Sequence, residues 1–488
     1  MRKTGKYQEL PRNPILWGEG DIDSPVVRGG DVYPKPNGRV SLQWLTACEE
    51  ERALTTDLMD RIAELSNLTT ALRQVVSNGG SAGLDGETVI ELKEWFSHNW
   101  QRLQSSLLEG SYTPNGVRGV RIPKPKGGYR QLGIPTVRDR LVQQAISQVL
   151  SKRYEPIFSD NSYGFRPGRN AHQALQKAGG YVAEGCKYVV DLDLEKFFDK
   201  VNHDRLMWML GTRIGDKRVL SLVGRFLRSG IMQDGLMSQR LQGTPQGSPL
   251  SPLLSNIVLD ELDKELEARG HRFVRYADDQ IILVKSEEAA KRVERSITDY
   301  IETRMKLKVN REKSRICEPW ELNFLGHNIH KEGGLGVSRE SLLRFKAKLR
   351  RITRRNKGVS LEQLIQGLNP VLRGWLNYFR HARMKKALAR LESWLRRRIR
   401  CFRLKQCKRA LGMARFLISL GVPPNRSWTT AGSSKGWFRR ANTPAACEGM
   451  NSSWFSGIGL FNMSTNYCLT FNETAPYVQR MRGGVRGR

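Results

Sequence analysis

The stretch HRFVRYADDQIILVKS, residues 271–286, constrains the fold of this chain more than any other part of it. Two apolar runs, RFVRY and IILV, flank Ala277-Asp278-Asp279, which reads as a β-hairpin with paired carboxylates at its tip. Adjacent like charges destabilise each other unless a cation lies between them, so such a tip is either a solvated turn or part of a metal site. A second segment weighs for the metal. Val189-Val190-Asp191-Leu192-Asp193 is a strand that delivers acids at its carboxyl end, ahead of Leu194-Glu195-Lys196-Phe197-Phe198-Asp199. Two-metal phosphoryl transfer needs carboxylates from separate strands, holding ions about 3.5–4 Å apart. Asp193, Asp278 and Asp279 would supply that set. Asp191, which shares the face of Asp193 at period two, competes with it, and Asp199 more plausibly caps the turn that follows.

The surroundings of these acids define a fold class. Between Tyr112 and about Gly336 short strands alternate with helices: VRGVRIP, a Gly-Gly turn, YRQLGIP, a helix near 139–153, KYVVDLDL, helices from about His203 and over 251–269, then the hairpin. This order predicts an α+β domain whose antiparallel sheet carries acids at strand ends. Before it, Leu58, Ile62, Leu65, Leu68 and Leu72, then Leu92, Trp95, Phe96 and Leu103, recur at helical spacing around NGGSAGLDG, which predicts two helices about a glycine-rich turn. Residues 1–55 form an extension rich in Gly, Pro and charge.

Charge then narrows the partner. Lys and Arg number 81 against 48 Asp and Glu, a formal +33, and such an imbalance repels itself unless a polyanion lies against it. Nucleic acid is the expected partner. No run of about 18 apolar residues and no secretory signal is present, so no membrane role is expected and the reading is cytoplasmic. Residues 341–420 hold 23 Lys and Arg but only two acids, Glu362 and Glu392, while Leu361, Leu364, Ile365, Leu368, Leu388 and Leu391 keep helical spacing. That is a folded basic helical domain with a phosphate-tracking surface. Residues 421–488 read as a loosely ordered basic appendage. The seven cysteines, never spaced as C-x-x-C, encode neither a disulfide framework nor a zinc knuckle.

A further element, GTPQGSPLSPLL from Gly243, sets a glycine-rich turn before a helix, where small residues allow close approach to a nucleotide and Gln246 can donate or accept. Taken in order, IPKPKGGYRQLGIP, SYGFRPGRNAHQAL, DLDLEKFFD, GTPQGSPLSPLLSN, YADD, NREKS and FLGHNI resemble reverse transcriptases, and within them the group II intron-encoded proteins. LNPVLRGWLNYFR, residues 368–380, resembles the maturase thumb of the same family, which extends the likeness over about residues 60–420. The resemblance implies a right-hand polymerase, with fingers and palm over 56–335 and a helical thumb over 336–420; the basic stretch 421–488, which lies beyond the likeness, reads from its charge as a DNA-binding-like appendage. The resemblance implies two Mg2+ ions on Asp193, the Leu194 carbonyl, Asp278 and Asp279. Lys124 and Arg130 match residues that grip the incoming triphosphate, Phe198 the aromatic gate that favours deoxynucleotides, Gln246 the nucleotide-pocket glutamine, and Lys313 a lysine that protonates pyrophosphate. FLGHNI matches the primer-gripping hairpin. The implied partners are a group II intron RNA, an RNA template with a DNA primer, target DNA and deoxynucleoside triphosphates.

Two departures stand out. The family often carries a zinc-supported carboxy-terminal endonuclease, and its cysteine pairs are missing here, so the primer would come from elsewhere. Gln280 follows YADD where an apolar residue is common. A free-standing reverse transcriptase of phage defence or spacer acquisition, and a splicing cofactor without polymerisation, are the rival readings.

Overall fold

The structure is a computed structural model that describes residues 55–123, 127–233, 236–238, 242–245 and 247–467. Lys124 and Gln246, two of the expected nucleotide contacts, lie outside the described residues. The strands are β1 (Val117–Pro123), β2 (Tyr129–Ile134), β3 (Tyr188–Leu192), β4 (Ile231–Gln233), β5 (Leu236–Ser238), β6 (Arg272–Tyr276), β7 (Asp279–Val284), β8 (Arg315–Cys317), β9 (His327–Ile329) and β10 (Leu335–Val337).

Strand periodicity builds the central sheet, whose order is β6-β7-β3-β8 with every pairing antiparallel. Successive side chains of a strand face opposite sides. Val189, Val274, Ile281 and Leu283 accordingly join one core with Ala174, Leu175 and Val182 of the helix Ala171–Ala183. Val190, Leu192, Phe273 and Ile282 point the other way, into a larger core with Leu262 of the helix Ser251–Ala268 and Ile297 of the helix Glu287–Thr303. A sheet covered on both faces explains why IILV is apolar throughout rather than alternating. The same larger core holds the amino-terminal helices Leu58–Ala63, Leu65–Asn78 and Val89–Leu108. Thr88 and Glu91 close a capping box at the start of the last of these, and the first two are separated at Glu64, where two helices had been expected in all.

The fingers sheet has the order β2-β1-β4-β5. The long pairing is β1 with β2, antiparallel from Arg118↔Ile134 to Pro123↔Tyr129, and β4 adds in parallel to β1.

Beyond β10 the chain is helical: Arg339–Ile352, Leu361–Phe379, Lys385–Gln406 and Ala410–Ser419. The first three bury Phe345, Leu349, Leu364, Leu368, Leu388 and Leu395 in their own core, with Phe345 stacked on Trp375 at 4.4 Å. The expectation of a loosely ordered appendage after Gly421 is corrected as far as Tyr467. Helices Pro424–Ala431, Trp437–Arg440, Pro444–Gly449 and Ser452–Gly457 pack small side chains, Ala431, Ala441, Ala445 and Ala446, against Leu404, Met413 and Leu417. The chain then returns to the thumb, where Glu392 accepts from the amides of Met463 and Ser464 and from the Ser464 hydroxyl. Composition hid this fold because alanine-rich packing carries no large apolar stripe.

Palm and thumb meet at a histidine cluster. His327 is fully buried against the rings of Tyr378 and Phe379, and His172 lies edge-on to His381 at 5.0 Å. The His327 Nδ1–H donates to the Leu325 carbonyl, the Tyr378 hydroxyl donates to the same oxygen, and the His172 Nε2–H donates to the Tyr378 carbonyl. Burial, and after it the neighbouring His172 and His381, pull the His327 pKa from 6.5 to about 4. The unfolded chain therefore takes up this proton first as pH falls. The contribution of neutral His327 is complete above about pH 6.5 and is lost toward pH 4, about 3 kcal/mol in all. In thermal melts from pH 7.5 to 4.5, His327→Asn is expected to show a shallower acid loss than wild type; equal slopes would remove His327 as the cause.

Candidate active site

Strand register brings the candidate acids together. Leu192 pairs with Gln280 and Tyr276 with Asp279, so the β6–β7 loop is Ala277-Asp278, and continuing β3 by one residue sets Asp193 opposite Asp279. Directly opposed positions of antiparallel strands share a face, with Cβ atoms about 4.5–5.5 Å apart. Asp191 lies two residues back on that face and faces Arg315 of β8.

The residues NREKS clasp Asp193 from the other side. The Asn310 amide donates to the Asp193 carbonyl at 2.8 Å, the Asp193 amide donates to Ser314 Oγ at 3.0 Å, and Lys313 Nζ lies 2.9 Å from Asp193 Oδ2. Leu194 bridges Val309, and the hydrogen bonds of that bridge run through Asp193 and Glu195, leaving the Leu194 carbonyl outside the pairing. Burial, and crowding after it, weaken these acids. Burial, then Asp278, Asp191 and Asp193, raise the Asp279 pKa to about 6, although its side chain is open to solvent at the foot of a cleft. Burial likewise raises Asp191 to about 6, with Arg315 opposing and Asp193 adding to the rise.

Hard carboxylate oxygens that repel one another fit a hard divalent cation. Among the described residues no three His, Cys, Asp or Glu side chains already surround one ion position. Magnesium needs no such cage, since it is held by one or two carboxylates together with substrate phosphates. Asp193, Asp278, Asp279 and the Leu194 carbonyl could hold the ions in that manner.

The neighbouring elements are locked to this centre. Phe198 sits in the short helix Phe197–Lys200, half-buried, edge to face with Phe197 at 5.4 Å, and Lys196 enters that helix at φ +50°. The GTP loop runs against it: the Thr244 amide donates to the Phe198 carbonyl at 2.6 Å and Gly243 to Val201 at 2.7 Å. A side chain on Gly243 would stand 2.8 Å from the carbonyls of Phe198 and Asp199, so only glycine lets the loop pass. Asp199 lies within the helical turn, exposed, rather than capping it. Arg130 is exposed on β2, in a different sheet from the acids. Leu325, at φ +50° in FLGHNI, borders a cleft of about 910 Å³ that also meets Asp279, Arg344, Lys348 and Trp375. One open space thus joins Asp279 to a basic face of the thumb.

Three residues that hold the β6–β7 turn escaped the sequence reading. Arg275 of β6 is fully buried and forms a two-pronged ion pair with buried Asp263, 2.5 Å at its shortest. Its remaining guanidinium nitrogen donates to Asn256 Oδ1 and to the Ala277 carbonyl, both at 2.9 Å. Ala277 itself is left-handed at φ +59°, a strained state for a residue with a Cβ. The available signal was a lone Arg inside RFVRY and two polar residues, Asn256 and Asp263, on one face of an apolar helix.

An acid-tipped antiparallel hairpin in a fingers–palm–thumb frame defines a template-directed nucleotidyltransferase. Comparison with known proteins narrows the class. Residues 122–329 match the family described as Reverse transcriptase (RNA-dependent DNA polymerase), and residues 342–416 match Group II intron, maturase-specific domain. The chain is 32% identical to Protein YkfC of Escherichia coli over 56% of this chain and 82% of that protein. It is 29% identical to Group II intron-encoded protein LtrA of Lactococcus lactis over 53% of this chain, and so spans only about half (54%) of that relative. A solved Partial Cas6-RT-Cas1--Cas2 complex is 28% identical over 50% of this chain and 42% of the other, with a TM-score of 0.33. The chain belongs to the group II intron-encoded reverse transcriptases, the class of RNA-directed DNA polymerases that carries a maturase domain. No helix of the described residues is long and apolar enough to cross a membrane.

Removing one partner of a buried ion pair costs about 3–5 kcal/mol. Asp263→Ala is therefore expected to lower the unfolding midpoint by several degrees and, at temperatures where it stays folded, to slow single-turnover extension without weakening RNA binding. Full-speed extension by the folded variant would show that the pair does not hold the turn.

Proposed function

We propose that this chain binds a group II intron RNA, assists its splicing and copies it into DNA at a target site during intron mobility. The observation that carries this reading is the continuity of a maturase-type basic thumb with the polymerase cleft: Arg344 and Lys348 border the same space as Asp279. Phosphate-tracking charge on the thumb would bind RNA, and the carboxylates would act on a primer end brought to them.

Two bound magnesium ions would activate the primer 3′ hydroxyl and stabilise the leaving pyrophosphate. The protein's own groups supply position. Arg130, with Lys124, would grip the triphosphate of an incoming deoxynucleotide. Phe198, fixed by the GTP loop, would exclude a 2′ hydroxyl, and Gln246 would line the nucleotide pocket. Lys313 neutralises Asp193 in the structure and would release it to deliver a proton to pyrophosphate. The DNA primer would come from the target or from replication, annealed to the RNA template.

The deciding assay incubates RNA transcribed from the DNA around this reading frame with wild type and with Asp278→Ala at low magnesium. Protein-dependent splicing that survives the substitution, with primer extension lost, is the expected result. Absence of splicing beside active primer extension would favour a free-standing reverse transcriptase, such as one serving spacer acquisition. Extension by Asp278→Ala would remove the metal-ligand assignment. RNA affinity is also expected to fall steeply between about 50 and 200 mM salt, as counterion release requires; a flat dependence in a filter-binding titration would take the thumb off the phosphates.

A further inference from the structure

Segment 162–166, Ser-Tyr-Gly-Phe-Arg, is buried at every position but one. Ser162 pairs with Arg275 at the edge of the palm sheet, and the Tyr163 amide donates to the Arg275 carbonyl at 2.9 Å. Arg166 is anchored by Glu155 and by the carbonyls of Ser159 and Ser162. Between these fixed points Phe165 is 52% exposed, and among the described residues no other ring or guanidinium stacks on it. Its backbone is left-handed at φ +60°, a conformation unfavourable for a bulky side chain.

Its place is tightly defined. A Cβ on Gly164 would lie 2.1 Å from the Ala277 amide nitrogen, so Gly164 rests directly on the catalytic turn. Given ordinary backbone dimensions, the Phe165 Cα is then within about 7.5 Å of that nitrogen. The Asn256 amide holds the Gly164 carbonyl at 3.0 Å, and Asn256 also accepts from Arg275, so one network fixes both the turn and this segment. Among the described residues five others outside glycine are left-handed: Lys196, Ala277 and Leu325 lie at the gate helix, the β6–β7 turn and the FLGHNI hairpin, whereas Lys306 and Lys408 follow the helices Glu287–Thr303 and Lys385–Gln406. Phe165 shares this conformation and belongs to none of the apolar cores of the described residues.

We infer that Phe165 is a template–primer contact: its ring covers sugar and base-edge surface of the duplex within the last base pairs before the catalytic carboxylates. A phenyl group carries no hydrogen-bonding atom and gains only by apolar contact, which excludes phosphate as its target and makes the contact independent of sequence. The inference rests on the polymerase reading of the site.

The test measures dissociation of a fluorescent DNA primer annealed to an RNA template from the full chain, in the presence of a competitor trap, for wild type, F165A, F165G and F165W. F165A is expected to release the duplex about tenfold faster and to make shorter products, with KM for deoxynucleotide changed less than twofold. F165G, which relieves the left-handed strain, is expected to keep or raise the unfolding midpoint while releasing the duplex as fast as F165A. F165W is expected to restore wild-type release. Wild-type dissociation in F165A, or a rise confined to the nucleotide KM, would overturn the assignment. So would a fall in the F165G midpoint that accounts for its lost extension. Failure of wild type itself to extend primers would instead remove the polymerase reading beneath it.

Discussion

The buried pair of Arg275 and Asp263 is the interaction on which the rest of the site depends. An isolated guanidinium in the protein interior is strongly unfavourable, so Arg275 persists only because its donors meet Asp263, Asn256 and the Ala277 carbonyl. Each of these ties a different element. Asp263 and Asn256 belong to the helix Ser251–Ala268, Ala277 to the β6–β7 turn, and the Arg275 backbone pairs with residues 161–163. A replacement by apolar side chains could match the volume but could not hold a carbonyl of the turn in a given orientation. The pair thus serves placement more than stability, which is the use for which buried ionic groups are best attested.

Strain and charge are concentrated where this network leads. Left-handed Lys196, Ala277 and Leu325 stay in place because hydrogen bonds around them over-determine the backbone. The acids are balanced differently. Asp193 has Lys313 as a counterion and Asp191 has Arg315, whereas Asp279 has Asp278, Asp191 and Asp193 around it; burial first, and these neighbours after it, raise its pKa, and burial raises Asp191 as well. An arrangement that strains its own electrostatics in the absence of a cation is suited to taking one up with substrate.

Much of this was legible in the residues themselves. Period-two strands placed Asp193 and the Asp278-Asp279 tip at strand ends, and the break between RFVRY and IILV located the hairpin to within a residue. The helices starting at His203 and Ser251 lie where spacing put them. Less was legible where packing uses small or polar side chains. The helices between Pro424 and Gly457 are short and built on alanine, and Glu392, one of two acids in a basic stretch, is a buried clasp for Met463 and Ser464 rather than a solvated charge. Phe165 was passed over because its exposure and φ value are not encoded by its neighbours.

The sequence by itself determined the elements, the chemistry of their ends and the sign of the surface, because hydrophobic period and charge are local properties that each segment carries alone. Tertiary structure decided which of those ends meet. Lys313 reaches Asp193 across 120 residues of chain, and the Asn256 amide reaches the Gly164 carbonyl across 92. Such contacts follow from strand register and from the need to pair every buried charge, and neither is expressed in any single stretch of the chain.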